Sequence, residues 1–162
     1  MPMRLPRIKH FGPGEMGLTL IELIVAFTIL LILSTLALPL ARVSLKRDRE
    51  RELRSSLREI RTAIDRYKEA SDRGMIPVKI DTEGYPPDLQ TLVDGVKANG
   101  AVDKKLKFLR RIPVDPMTHS TEWGVRSYQD DPTSNSAGGQ NVFDVYSKSQ
   151  QMALDGSKYS DW

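Results

Sequence analysis

Hydrophobic residues are concentrated near the N-terminus of this chain. Residues 18–41, LTLIELIVAFTILLILSTLALPLA, contain Glu22 as their single charged residue. A helix rises about 1.5 Å per residue, so this run is long enough to cross a bilayer core about 30 Å thick. A basic segment, residues 1–17, precedes it and contains the flexible Gly12-Pro13-Gly14. The pattern therefore predicts a membrane-spanning helix behind a short N-terminal leader.

After residue 41 the apolar positions become one-sided. The stripe recurs at steps of three and four, which is helical spacing: Leu53, Leu57, Ile60, Ile64 and Tyr67. It lasts about two heptads, fewer than a coiled coil requires, so we expect it to cover the chain's own sheet. No Gly or Pro interrupts residues 42–73, and Gly74 is placed for a helix C-cap. We predict one long helix, membrane-spanning in its first half and amphipathic in its second.

The remaining part, residues 75–162, has the mixture of short apolar segments and turn residues that is typical of a small globular domain. Asp88 is placed to cap a short helix beginning at Leu89. Residues 123–128 and 141–147 alternate as β-strands, with a polar turn segment between them. The terminal Trp162 is expected to pack back on this domain. A helix followed by a small C-terminal antiparallel sheet predicts the α+β class.

Composition mainly excludes functions. The chain has 162 residues, a net charge of +3, two histidines and no cysteine. The absence of cysteine excludes disulfide scaffolds, thiol nucleophiles and cysteine-ligated metal clusters, and the small net charge gives no general argument for nucleic-acid binding. No nucleophile–base pair, phosphate-binding glycine loop or paired catalytic carboxylates stand out. We therefore do not expect an enzyme.

Glu22 separates three interpretations of the N-terminus. A charge placed in hydrocarbon costs roughly 2.5–3.5 kcal/mol on insertion scales, so an intramembrane acid implies a function. A secretory signal peptide cut after Ala37 and a plain membrane anchor both leave Glu22 unexplained. The string Gly17-Leu18-Thr19-Leu20-Ile21-Glu22 resembles the prepilin motif of type IV pilins and type II secretion pseudopilins.

That resemblance implies cleavage after Gly17 by a prepilin peptidase and N-methylation of Leu18, where the family usually has Phe. Glu22 becomes the fifth residue of the mature chain, and Pro39 falls where the family commonly has a proline. A buried carboxylate needs a partner. The free amine of a neighbouring subunit could supply one and so fix the axial register of packed helices.

Later segments resemble the major pseudopilin branch: residues 84–92, 109–116, 123–124 and 143–147. This resemblance implies a pilin-like fold, and it divides the chain into a leader (1–17), a transmembrane and assembly helix (18–41), an amphipathic continuation (42–74) and a periplasmic globular region (75–162).

The function implied is that of a structural subunit of a type II secretion pseudopilus, a fibre that helps to move exoproteins across the outer membrane. The implied location is the bacterial inner membrane, crossed once, with the C-terminal domain in the periplasm. The implied partners are further copies of the chain, a prepilin peptidase, minor pseudopilins and an inner-membrane assembly platform. A type IV pilin for adhesion, motility or DNA uptake is the alternative within the family. A membrane-tethered or secreted binding domain is the alternative from another class.

Calcium is the candidate cofactor, because major pseudopilins typically bind it in a C-terminal loop. The oxygens nominated here are those of Asp155, Asp161, Ser157 and Asp144. The family's acidic loop is not present, however, and we favour turn capping by these residues.

Two charged segments can each be interpreted either as a solvated surface or as a contact surface. The basic run of Lys104, Lys105, Lys107, Arg110 and Arg111 is expected to be a solvated or intersubunit surface, and nucleic acid or anionic lipid is the weaker alternative. Residues 46–52, KRDRERE, are expected to be a solvated helical stretch, with a neck that contacts adjacent subunits as the alternative.

Overall fold

A computed structural model describes residues 19–100, 104–132, 134 and 138–162, and for residues 36–41 it describes the backbone alone. The fold is α+β, with a long helix α1 (Leu20–Asp72), a short helix α2 (Leu89–Asp94) and two small antiparallel sheets. The chain divides into two compact units, Met1–Arg42 and Val43–Trp162, and the boundary between them lies within α1.

The described part of the first unit is helical and apolar. Eleven large apolar side chains lie between Leu20 and Leu33, and each is at least 42% exposed. The position of Pro39 is included in α1. Within the described part of the chain, no helix meets the combined requirement of length and hydrophobicity for crossing a membrane.

The second unit is built on the apolar stripe of α1. All five predicted stripe residues are at most 3% exposed, and they form one core with side chains from the rest of the unit, among them Leu92, Trp123 and Val145. The prediction that the stripe covers the chain's own domain is confirmed. This burial supplies the main stabilisation, because a fully buried large apolar side chain contributes about 1.5–3 kcal/mol.

Both predicted helix boundaries in this unit are confirmed. Gly74 has a φ of +66°, its N–H donates to the Ser71 carbonyl, and the Met75 N–H donates to the Ala70 carbonyl. These two bonds end α1 in a Schellman motif, for which glycine is the favoured residue. At the start of α2, the Asp88 carboxylate accepts from the Thr91 N–H at 2.7 Å.

The sheets differ in part from the prediction. Strands β3 (Gly124–Arg126) and β4 (Asp144–Tyr146) pair antiparallel as expected, although each is shorter than its predicted segment. Gly124 faces Tyr146 so closely that a Cβ at this position would lie 2.3 Å from the tyrosine ring. The alternation predicted for residues 141–147 does not separate a buried face from an exposed one, since Val142 and Val145, assigned to opposite faces, are both buried.

The expectation of a single sheet is wrong. A second antiparallel pair joins β1 (Val96–Lys97) to β2 (Lys105–Leu106). Two-residue strands are too short to produce a period-two pattern, which needs at least four residues. The described chain ends with a 3₁₀ turn, Tyr159–Asp161.

Candidate functional site

The predicted assembly residues lie at the start of α1 or outside the described residues. Gly17 and Leu18 are outside them, and so is the side chain of Pro39. Glu22 lies in the first turn of α1, where the Thr19 carbonyl accepts from its N–H at 3.1 Å. Among the described residues, the Glu22 carboxylate has no hydrogen-bond or ion-pair partner. Processing after Gly17 and pairing of Glu22 therefore stay predictions.

The four nominated calcium ligands are not brought together as one set. Asp155 and Ser157 form a turn in which Asp155 Oδ1 accepts from the Ser157 N–H at 2.9 Å and from its hydroxyl at 2.6 Å. Those bonds to Ser157, together with nearby Arg54, lower the pKa of Asp155. Asp144 instead pairs with Arg61, and Asp161 accepts from the Ser160 hydroxyl at 3.2 Å.

No group of three or more His, Cys, Asp or Glu side chains that could hold a metal ion occurs within the described ranges. The contacts at Asp155 are those of turn capping, and calcium binding stays a prediction.

A polar flank of α1 holds the end of the chain. We call its side chains, Lys46, Glu50, Arg54 and Arg61, the C-terminal clamp. Lys46 Nζ donates to the Met152 carbonyl at 2.6 Å. Glu50 Oε1 accepts from the Leu154 N–H at 2.8 Å and from the Tyr159 hydroxyl at 3.0 Å. Burial raises the pKa of Tyr159 to about 12, and the bond to Glu50 acts in the same direction.

The other two clamp residues are arginines. The Arg54 guanidinium lies 4.2 Å from the centre of the Trp162 ring, an attractive cation–π geometry. Arg61 Nε donates to Asp144 Oδ1 at 2.7 Å, and another of its nitrogens donates to the carbonyls of Val145 and Trp162. Arg61 thus ties α1 to strand β4 and to the last described residue at once.

The clamp was missed at the sequence level. Residues 46–52 were expected to be a solvated stretch, yet two of them bind the chain end. The signal that could have found it is spacing: positions 46, 50 and 54 follow one another by four and position 61 follows by seven, which is a helical flank beside the stripe. The expectation that Trp162 packs back is confirmed.

A buried carboxylate closes the turn in residues 109–116. Asp115 is fully buried and accepts from the Met117 N–H at 2.8 Å, the Thr118 hydroxyl at 3.1 Å and the Ser147 hydroxyl at 2.7 Å. Three donors satisfy the carboxylate, as burial of a polar group requires. Asp115 therefore connects that turn to Ser147, the residue directly after β4.

The basic run lies beside α1 and forms one wall of an open groove of about 740 Å³. We call it the basic groove. Its cations are Arg58 and Arg66 from α1 with Lys107 and Arg110 from the facing segment, and Glu59 is its one carboxylate. None of these four cations has an ion-pair or side-chain hydrogen-bond partner among the described residues. Its apolar lining comes mainly from the half-buried Phe108, because the neighbouring Leu109 and Ala63 are buried.

Comparisons of this chain with protein-family models, with curated proteins and with solved structures find no match.

Proposed function

We propose that this chain is a major-type pseudopilin, the structural subunit of a type II secretion pseudopilus. After removal of residues 1–17, the mature chain begins at Leu18, the first part of α1 packs with those of other copies, and residues 75–162 form the outward-facing domain. The work is mechanical: a growing fibre moves exoproteins towards an outer-membrane channel. The precursor is held in the inner membrane before assembly.

The observation that carries this proposal is the uncovered apolar surface from Leu20 to Leu33. Its eleven large side chains are all exposed. An apolar surface of this extent marks a contact with another molecule or with lipid, because water solvates it poorly. In a fibre, the same residues of neighbouring copies cover one another.

Glu22 gives that contact a register. Its carboxylate is free of partners among the described residues, and it lies among exposed apolar side chains such as Ile21 and Leu23. Covering this surface would desolvate the charge, and a cationic partner would offset that cost. The amine that cleavage creates at Leu18 of a neighbouring copy meets that need and fixes the axial position of one helix against the next.

The first test is the mass and N-terminal sequence of the mature protein from its native membrane. A chain beginning at methylated Leu18 supports the proposal. A start at Leu38 would indicate signal-peptidase cleavage, would remove Glu22 and would refute the assembly model. If Met1 is retained, the measurement is repeated with the prepilin peptidase co-expressed, and an unprocessed chain then refutes the proposal.

The second test is Glu22→Ala, with Glu52→Ala as the matched control on the same helix. We expect the first variant to lose fibre assembly and secretion while its second unit stays folded, and the control to assemble normally. Normal fibres from Glu22→Ala would contradict the role given to this carboxylate.

Deletion of the gene separates the two branches of the family. Exoproteins trapped in the periplasm support secretion, whereas loss of twitching motility or of DNA uptake supports a type IV pilus.

A further inference from the structure

A loop in the second unit displays apolar side chains to solvent. We call residues 78–83 the apolar loop. Ile80 is 88% exposed, the highest value among the exposed large apolar residues of the described chain, and Val78 is 58% exposed. Asp81 and Glu83 follow within three residues of Ile80, and Lys79 lies between the two apolar residues, so the loop carries two carboxylates and one ammonium group. Single exposed apolar side chains are common on protein surfaces, so it is the pair of Val78 and Ile80, bordered by charges, that makes this loop a candidate contact surface.

The loop is held in shape by its own contacts. The Thr82 side chain is buried, and its hydroxyl donates to the Lys79 carbonyl at 2.9 Å. Gln129 donates to Glu83 Oε1 at 3.1 Å. Asp81 and Glu83 both have positive φ values, 68° and 51°, which non-glycine residues seldom adopt. The display of Ile80 is therefore a defined feature of the fold.

The basic groove is complementary to this loop in two respects. The four cations of the groove exceed its one carboxylate and have no partners among the described residues, whereas the loop carries two carboxylates, Asp81 and Glu83, against the single cation Lys79. The groove surface includes the half-buried ring of Phe108, which suits an apolar side chain such as Ile80. Opposite charges around an apolar contact favour both encounter and orientation.

The two surfaces lie on different flanks of α1. The loop leads into Tyr85, whose ring centre lies 5.3 Å from Lys68 Nζ. Lys68 lies two helical turns after Arg61, on the flank of α1 that carries the clamp. The groove instead uses Ser55, Glu59, Thr62 and Arg66, a separate row at steps of four, three and four. A contact between the loop of one copy and the groove of the next joins unlike surfaces. Such a heterologous contact gives a closed ring or, where the rotation does not close, an open helical filament.

We propose that the apolar loop of one copy docks in the basic groove of a second copy of this chain. This inference rests on the proposed function, because assembly into a fibre is what brings copies of the chain side by side. A second copy is the favoured occupant because the chain itself carries both the charged apolar tip and its complement.

The absence of cysteine from the chain allows a direct test. Full-length Ile80→Cys and Thr62→Cys copies with different tags are mixed in native membranes and oxidised. Both positions are exposed, so neither substitution disturbs the core. We expect disulfide-linked dimers from the mixed pair, and about tenfold fewer from either variant alone, because a heterologous contact brings unlike positions together.

Charge reversal tests the specificity. Arg66→Glu in the Thr62→Cys copy should lower the mixed cross-link about tenfold, since it places like charges opposite each other. Asp81→Lys in the Ile80→Cys copy should partly restore it. Arg49→Glu, an equal change at an exposed position of the same helix outside the groove, is the control and should leave the yield unchanged.

The outcomes distinguish this inference from the proposed function. Cross-link yields that are equal for mixed and single variants, or insensitive to Arg66→Glu, overturn the inference even if methylated Leu18 and fibres are found. A specific mixed cross-link in a chain that is never cut after Gly17 supports the inference and refutes the pseudopilin assignment. If anionic vesicles or nucleic acid protect the cysteines from oxidation and no cross-links form between copies, the groove binds another partner. That result would also overturn the inference.

Discussion

The two parts of α1 use similar apolar side chains in opposite ways. Between Leu20 and Leu33 large apolar residues point in all directions and remain exposed, whereas from Leu53 to Ala70 they occupy one stripe and are buried. Burial stabilises the second part within its own unit. The first part can gain the same stabilisation only from molecules outside the described chain.

This difference teaches that hydrophobicity and stabilisation of the fold are separate properties. The residues of the stripe are core residues because α2, the sheets and the turn at Asp115 cover them. The residues near Glu22 are equally hydrophobic, but within the described chain they remain uncovered. Substitutions in the two parts should therefore be visible in different measurements.

The largest expected effect is that of Ile60→Ala. Ile60 is fully buried, so the variant should lower the free energy of unfolding of the second unit by about 2–5 kcal/mol. Leu30→Ala, a truncation in the exposed part, should change it by less than about 0.5 kcal/mol. Urea unfolding of the full chain in detergent, followed by tryptophan fluorescence, measures this, because both tryptophans lie in the second unit. Equal losses in the two variants would contradict the comparison.

A smaller effect is expected when Arg61 is replaced by Ala. The side chain is 38% exposed, so solvent weakens its pair with Asp144, and we expect a loss of about 1–2 kcal/mol from its charge-assisted bonds. Arg58→Ala is the control on the same helix, and its free energy of unfolding should lie within about 0.5 kcal/mol of that of the unsubstituted chain. The same unfolding assay applies. A control that is as destabilising as Arg61→Ala would refute the distinction between clamp and groove.

The smallest effect is confined to alkaline pH. The neutral hydroxyl of Tyr159 is favoured in the fold, where its pKa is raised to about 12. Its contribution to stability is therefore fully present below about pH 10, the ordinary tyrosine pKa, and is lost as the pH rises towards 12. Tyr159→Phe should show a shallower decline over this interval. Because the pKa values of Tyr67 and Tyr85 are also raised, some decline should persist in the variant, and identical curves would exclude a contribution from Tyr159.

Local patterns predicted the local structure of the second unit. The stripe, the stop at Gly74, the cap at Asp88 and the pairing of β3 with β4 all follow from residues close together in sequence, where spacing and turn chemistry are decisive. The β1–β2 pair was missed because its strands have two residues each.

The functional surfaces were less predictable, since they depend on distant contacts. Lys46 and Glu50 looked like members of a solvated charge run, and only the fold brings residues 152–159 to them. The basic run was visible in sequence, but the groove was not, because Arg58 and Arg66 come from another element. Gly17 and Leu18 lie outside the described residues, so the motif there remains a sequence-based prediction.

The C-terminal clamp also has a consequence for the order of events during synthesis. Its hydrogen bonds join residues up to 109 positions apart in the chain. Contacts this distant in sequence form late and slow folding, because a long loop must close first. A ribosome-bound chain that has exposed α1 alone cannot complete the clamp, so we expect the second unit to reach its final fold only after the segment around Trp162 has been released.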